Sequence, residues 1–289
     1  MKIGVSFPNS EIGDDPAVIR DFVQTAEELG FAHMSFIDHV IQSAAPKGPE
    51  FAHNYTRDVM FHEVMTLLGY VSALTSKMIL APAILILPQR QTVLVAKQAA
   101  ELDVLSQGRI RLGVGIGWNE VEFDALNMNF KNRGKRIVEQ IDLLRRLWTE
   151  DLVTFHGEDH NFENAGINPP PIQRPIPIWI GALAPPAIRR AAQVADGWFS
   201  YPREAPDAAA QERISIFRQA AAEADRDPDS IGLNATVFVH QGAGPDEWLR
   251  TMETWQQIGA TELTFRTVES GLPNIDAHVK AMRDLMEAR

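Results

Sequence analysis

The chain has 289 residues, of which 45% are hydrophobic and 22% are charged, an ordinary composition for a globular protein. Its net charge of −11 argues against a nucleic-acid-binding protein, which needs a basic face, and disfavours binding to an acidic membrane surface. Because the chain has no cysteine, disulfides, thiolate catalysis and cysteine-ligated metal sites are excluded.

The N-terminal sequence lacks the long apolar region of a signal peptide. The longest apolar run, residues 79–88, is too short to span a bilayer. We therefore expect a cytoplasmic protein that has no nucleic-acid or membrane partner.

Predicted strands and helices alternate along the whole chain. The strands are predicted at residues 2–7, 33–37, 78–87, 110–115, 176–180, 197–200, 233–240 and 262–266. The helices are predicted at residues 16–29, 61–74, 92–105, 133–148, 185–195, 206–224, 245–258 and 274–288. The segment 78–87 is almost continuously apolar, which is typical of a strand buried on both faces.

Eight strands and eight helices in strict alternation indicate a parallel sheet with helical crossovers. We predict an α/β fold, a (β/α)₈ TIM barrel that forms a single domain over residues 1–289. The irregular segments 40–57 and 153–177 are the predicted insertions after strands two and four, and the second contains a hairpin turn at His156-Gly157. A doubly wound open sheet is the alternative.

Asp38 and His39 directly follow the second predicted strand. Catalytic residues of such barrels lie at the C-terminal ends of the strands. Histidine titrates near neutral pH and can donate or accept a proton, while the aspartate can hold the loop or bond a cofactor ring. The alternative is a loop cap followed by a surface histidine.

Three further segments are candidates for ligand contact. The loop 113–120 has glycines that let a ligand approach the backbone, but its spacing does not match the dinucleotide-binding fingerprint. The loop 181–186 offers backbone N–H groups before a helix, as phosphate sites do. Pro82 inside a central strand predicts a distortion there. Ordinary strand-to-helix turns are the alternative for both loops.

No metal site is predicted, because no histidine or acidic cluster has a recognised ligand spacing. The clusters considered are His156, Asp159 and His160, and His53, His62 and Glu63. A basic run before the fourth helix has two interpretations: it forms a solvated face, or it meets an anionic cofactor tail. This run comprises Lys131, Arg133, Lys135 and Arg136.

An ordered set of short motifs resembles the bacterial-luciferase-like oxidoreductases, especially the branch that uses coenzyme F420. The motifs are SFIDH at 35–39, LILPQR at 85–90 with AKQ at 96–98, GR at 108–109 with GVGIGWNEVEF at 113–123, PIWIG at 177–181 and ADGW at 195–198. They cover roughly residues 1 to 200, and the later part matches only in its alternation of strands and helices. Each motif is weak alone, whereas the ordered set is specific.

The resemblance implies roles for the candidates. Asp38 and His39 would lie against the deazaflavin ring, with His39 as proton donor or acceptor. The Ala83–Ile84 bond would be the family's non-proline cis peptide, which backs the ring. The remaining cofactor contacts would be Gly115, Asn119, Gly181, Ala182, Leu183 and Ala184.

The resemblance therefore implies hydride transfer between F420 and an organic substrate, by a protein expected to be a homodimer. The alternatives are an FMN-dependent monooxygenase on the same barrel and a non-catalytic protein that only binds the cofactor.

Overall fold

The computed structural model describes residues 1–44, 55–200, 205–240 and 242–289. Nine strands of these residues form one parallel sheet. They are β1 (Lys2–Ser6), β2 (His33–Phe36), β3 (Ile79–Pro82), β4 (Leu85–Ile86), β5 (Leu112–Gly115), β8 (Ile178–Gly181), β9 (Gly197–Phe199), β10 (Gly232–Phe238) and β11 (Glu262–Arg266). Their order across the sheet is β3-β2-β1-β11-β10-β9-β8-β5-β4.

The two edge strands of this sheet, β3 and β4, are halves of one barrel strand. β3 pairs with β2, β4 pairs with β5, and a bridge from Leu80 of β3 to Ile110, just before β5, closes the sheet. The eight-stranded TIM barrel is therefore confirmed, and the open sheet is wrong.

The prediction of one continuous strand over 78–87 is wrong in its middle. The strand is interrupted at Ala83–Ile84, whose peptide bond is cis, and β4 runs into a 3₁₀ turn at Leu87–Gln89. The distortion occurs where Pro82 predicts it, because proline has no N–H to donate to the ladder of a central strand.

The described helices follow the predicted alternation. They are α1 (Pro16–Glu28), α2 (Val64–Leu74), α3 (Thr92–Leu105), α4 (Glu120–Ala125), α5 (Arg133–Thr149), α6 (Pro185–Val194), α7 (Ala208–Glu223), α8 (Pro245–Gln257) and α9 (Ile275–Ala288). The short α4 is an addition to the predicted set. α2 begins later than predicted because Glu63 caps it, its side chain accepting from the N–H of Thr66. α7 likewise begins after its cap, Asp207.

The N-terminal ends of the barrel strands enclose a buried ionic cluster. Arg111 forms an ion pair with Glu262 at 2.6 Å and lies 4.1 Å from the ring centre of Trp179. Burial lowers the pKa of the adjacent His33 to about 4, so this ring stays neutral at physiological pH. These side chains fill the lower half of the barrel and leave the opposite, C-terminal mouth for chemistry.

The insertion after the fourth barrel strand carries the predicted hairpin, formed by β6 (Val153–His156) and β7 (Asn161–Ala165). Its turn is held to the barrel by His160, whose Nδ1 lies 2.7 Å from Glu139 and whose Nε2 lies 2.6 Å from Thr92. His160 thus has a structural role in this insertion.

The basic run, which continues into the first turn of α5, holds the turn of the same hairpin. Lys135 and Arg136 form ion pairs with Glu158 and Asp159. Within the described residues, no group of three or more potential ligands is placed to hold a metal ion, and no helix is long and apolar enough to cross a membrane. His53 lies outside the described residues.

Candidate active site

Asp38 is buried just beyond the end of β2 and joins two elements at the barrel mouth. Its carboxylate accepts a hydrogen bond from the N–H of Ile86 at 2.9 Å and from the guanidinium of Arg90 at 2.8 Å. Burial raises the pKa of Asp38 above its usual range, and the opposing effects of Arg90 and the Ile86 bond do not cancel this rise. Asp38 therefore holds the end of β2 to the strand that follows the cis peptide.

His39 is also buried, at 7% exposure, so the alternative of a surface histidine is wrong. Its Nδ1 lies 3.3 Å from the carboxylate of Glu122 in α4. Three aromatic rings surround it at centroid distances of 5.0–5.7 Å: Tyr55, Phe61 and Trp118. This environment excludes bulk water from one part of the imidazole and leaves it paired to a single carboxylate.

Arg90 and Glu122 complete the Asp38–His39 pair, and the sequence did not single out either of them. Both lie inside motifs that carry the family resemblance, but neither has a local signal of its own. Glu122 is 0% exposed, and an acid is almost never fully buried without a partner. The sequence feature that indicates a buried carboxylate here is the position of Glu122 between the apolar Val121 and Phe123.

The cis peptide, Gly115 and Gly181 meet at the floor of the mouth, around the side chain of Ile84. A Cβ added to Gly115 would lie 2.6 Å from Cδ1 of Ile84, and one added to Gly181 would lie 2.6 Å from its Cγ2. Only glycine gives Ile84 this space at both positions. Asn119, which precedes α4, donates from Nδ2 to the carbonyl of Ile41 at 3.4 Å and so borders the same mouth.

The loop from Gly181 to Ala184 connects β8 to α6 beside this floor. Not every N–H group of this loop is available to a phosphate, because that of Ala182 donates to the carbonyl of Phe199 at 3.3 Å. Leu183 is exposed. Ser200 lies immediately after β9, and no motif or spacing in the sequence singles it out. Its hydroxyl is buried and has no hydrogen-bond partner in the described part of the chain.

A cavity of about 250 Å³ opens beside His39. It is lined by His39, Val40, Ile41, Gln42, Arg57, Val59 and Phe61. The segment after β2 thus forms one wall of a space in which a small molecule can reach the imidazole.

A buried histidine–carboxylate pair at the C-terminal mouth of a (β/α)₈ barrel is the arrangement of a barrel enzyme. The chain belongs to the luciferase-like monooxygenase family, whose model matches residues 1–286. This places it among luciferase-like oxidoreductases and confirms the resemblance carried by the motifs.

Two curated proteins are similar to this chain in sequence. The uncharacterized protein Rv0953c of Mycobacterium tuberculosis is 29% identical over 291 residues, covering 98% of this chain and 97% of the relative. The F420-dependent glucose-6-phosphate dehydrogenase of Nakamurella multipartita is 32% identical over 219 residues, covering 75% of this chain and 61% of that enzyme.

Two solved structures have the same fold. Monooxygenase RslO1 from Streptomyces bottropensis has a TM-score of 0.81 at 20% identity, covering 100% of this chain and 98% of its own. An F420-dependent secondary alcohol dehydrogenase, in complex with an F420-acetone adduct, also has a TM-score of 0.81, at 16% identity, with coverage of 99% and 98%.

Proposed function

We propose that this protein is an F420-dependent oxidoreductase that transfers a hydride between the deazaflavin and a small organic substrate. The observation that carries the proposal is that His39, Ile84 and Gly181 all lie at the C-terminal ends of barrel strands, where the side chain of Ile84 packs against Gly181. The F420-dependent dehydrogenase among the relatives supports this choice of cofactor.

The residues at the mouth fit a flat ring with a phosphate-bearing tail. Ile84, packed between Gly115 and Gly181, presents an apolar surface against which a ring can lie. The orphaned hydroxyl of Ser200 is placed next to the Gly181 loop, because Gly181 is the register partner of Phe199. A buried hydroxyl without a partner is costly, and a phosphate oxygen would satisfy it.

F420, when bound, supplies the acceptor or donor of the hydride. The protein supplies the proton, and His39 is the group that would accept or donate it. Asp38, held by Arg90, keeps the end of β2 against the Ile84 bulge. The rings of Tyr55, Phe61 and Trp118 shield the imidazole from bulk water.

The test of the cofactor is a fluorescence titration of the purified protein with F420 and, separately, with FMN. We expect F420 to bind at least about tenfold more tightly, a difference of about 1.4 kcal/mol. FMN is the alternative, since the similar fold of RslO1 belongs to a monooxygenase. Tight binding of FMN with no binding of F420 would overturn the proposal.

Replacing Ser200 by Ala is expected to weaken F420 binding by about tenfold, because a hydrogen bond to a charged group contributes about 1.5 kcal/mol. The change is measured by the same titration. Ser230→Ala is the matched control, since Ser230 is exposed in the 3₁₀ turn Pro228–Ser230 and donates to the carbonyl of Asp227. Equal affinity of the Ser200 variant and the wild type would remove Ser200 from the cofactor site.

A further inference from the structure

Glu122 is a buried acid that, among the described residues, accepts hydrogen bonds from the turn that carries His39. Its carboxylate lies 2.7 Å from the N–H of Val40, 3.5 Å from the N–H of Ile41 and 3.3 Å from Nδ1 of His39. These are its donors within the described residues. A fully buried carboxylate needs such partners, so Glu122 and the turn after β2 define each other's position.

The chemistry of this contact determines which ring nitrogen of His39 carries the proton. An ionised carboxylate only accepts hydrogen bonds, so the nitrogen facing it must donate. In the neutral imidazole, Nδ1 then carries the hydrogen and Nε2 carries the lone pair. When Nε2 takes up a proton, the resulting cation lies beside a buried negative charge, which stabilises it.

We propose that Glu122 is a positioning residue, which holds His39 in the Nδ1–H tautomer and so presents Nε2 as the proton acceptor towards an alcohol substrate. The proposal rests on the oxidoreductase function proposed above. In the oxidative direction the substrate gives up a hydride from carbon, for which oxidised F420 would be the acceptor, and a proton from the hydroxyl on that carbon, so that a carbonyl forms. The proton passes to Nε2 of His39. Reduction of a carbonyl is the reverse, with Nε2–H as the donor.

Other charged and titratable groups near His39 have different partners. Asp38 is bonded to Arg90 and to the N–H of Ile86. The hydroxyl of Tyr55 interacts with Glu269 and Arg266, and burial raises the pKa of this phenol, so it stays neutral. Arg57, which lines the cavity beside His39, pairs with Asp58. Among the described residues, the carboxylate that lies within hydrogen-bond range of the His39 imidazole is therefore that of Glu122.

The test uses Glu122→Gln and nitrogen NMR of the protein labelled with ¹⁵N-histidine, without cofactor. The amide oxygen of the new side chain is expected to keep the short bond from the Val40 N–H, so its NH₂ group faces Nδ1 of His39 and donates to it. The proton of the imidazole must then move to Nε2. We expect wild-type His39 to show the Nδ1–H tautomer and the variant to show the Nε2–H tautomer.

With F420 and an alcohol substrate, the same variant is expected to lose about 100-fold in kcat, because the lone pair no longer faces the substrate. F420 affinity should stay within about twofold, and KM should change less than kcat. A purely structural role for Glu122 would instead lower the stability of the fold without inverting the tautomer.

Glu139→Gln is the matched control. Glu139 also accepts from a histidine Nδ1, that of His160, and from two backbone N–H groups, those of Glu158 and Asp159. It lies on α5 against the turn of the hairpin, so its variant should alter the signals of His160 and leave kcat unchanged.

The tautomer of wild-type His39 decides the proposal even where the Glu122 variant does not fold. An Nε2–H tautomer in the wild type would overturn it, as would full kcat in a variant whose tautomer has inverted. Failure of the cofactor proposal is distinguishable, because it would appear as absent F420 binding and would not alter the tautomer measured without cofactor.

Discussion

Replacement of His39 by Gln is expected to lower kcat by about two to four orders of magnitude, the range over which a positioned proton donor or acceptor accelerates a reaction. The imidazole is buried against Glu122 and lines a cavity of about 250 Å³. Glutamine has a similar volume but cannot take up a proton near neutral pH. Steady-state kinetics with reduced or oxidised F420 would measure the loss.

The binding of F420 to this variant should stay close to that of the wild type, since the floor around Ile84 is unchanged. His156→Gln is the control, because His156 is exposed on the hairpin and bonds to Asn161. A non-catalytic cofactor-binding protein makes a different prediction: no turnover in the wild type and normal affinity in the variant. Turnover of His39→Gln at the wild-type rate would remove His39 from the chemistry.

Replacement of Arg90 by Met is expected to destabilise the fold by about 3–5 kcal/mol at neutral pH. The change removes one partner of a buried ion pair and leaves the carboxylate of Asp38 without its compensating charge. Urea unfolding monitored by circular dichroism measures the difference. Arg189→Met is the control, since the Arg189–Glu223 pair is exposed and should contribute little.

The loss caused by Arg90→Met should depend on pH in a defined direction. Burial raises the pKa of Asp38 in the folded state, so the folded protein binds more protons than the unfolded chain and its stability falls as pH rises through that pKa. Removing Arg90 strengthens this effect, because Arg90 opposes the rise. The destabilisation should therefore be smaller at pH 5 than at pH 8. An equal loss at both pH values would show that Asp38 is not the group responsible.

Most of the barrel was predictable because its signal is local. Apolar residues at helical spacing and near-continuous apolar strands alternate along the chain, and the buried face of α1 (Ile19, Phe22, Val23 and Ala26) follows that spacing. Asp38 and His39 were found for the same reason, since a strand end in a barrel places its next residues at the mouth. The hairpin and the cis bond at Ala83–Ile84 were also anticipated, the latter through the family resemblance.

The partners of those two residues depend on contacts that no local pattern encodes. Glu122 lies 83 positions after His39, and Arg90 lies 52 positions after Asp38. The prediction of a continuous strand over 78–87 was wrong for a related reason. Apolar character indicates that a segment is buried, but it does not determine the path of the backbone. Hydrophobic periodicity thus determined where the strands and helices of this protein lie. The folded barrel determined which buried carboxylate faces which cation or imidazole, since such pairs form only after closure brings distant loops together.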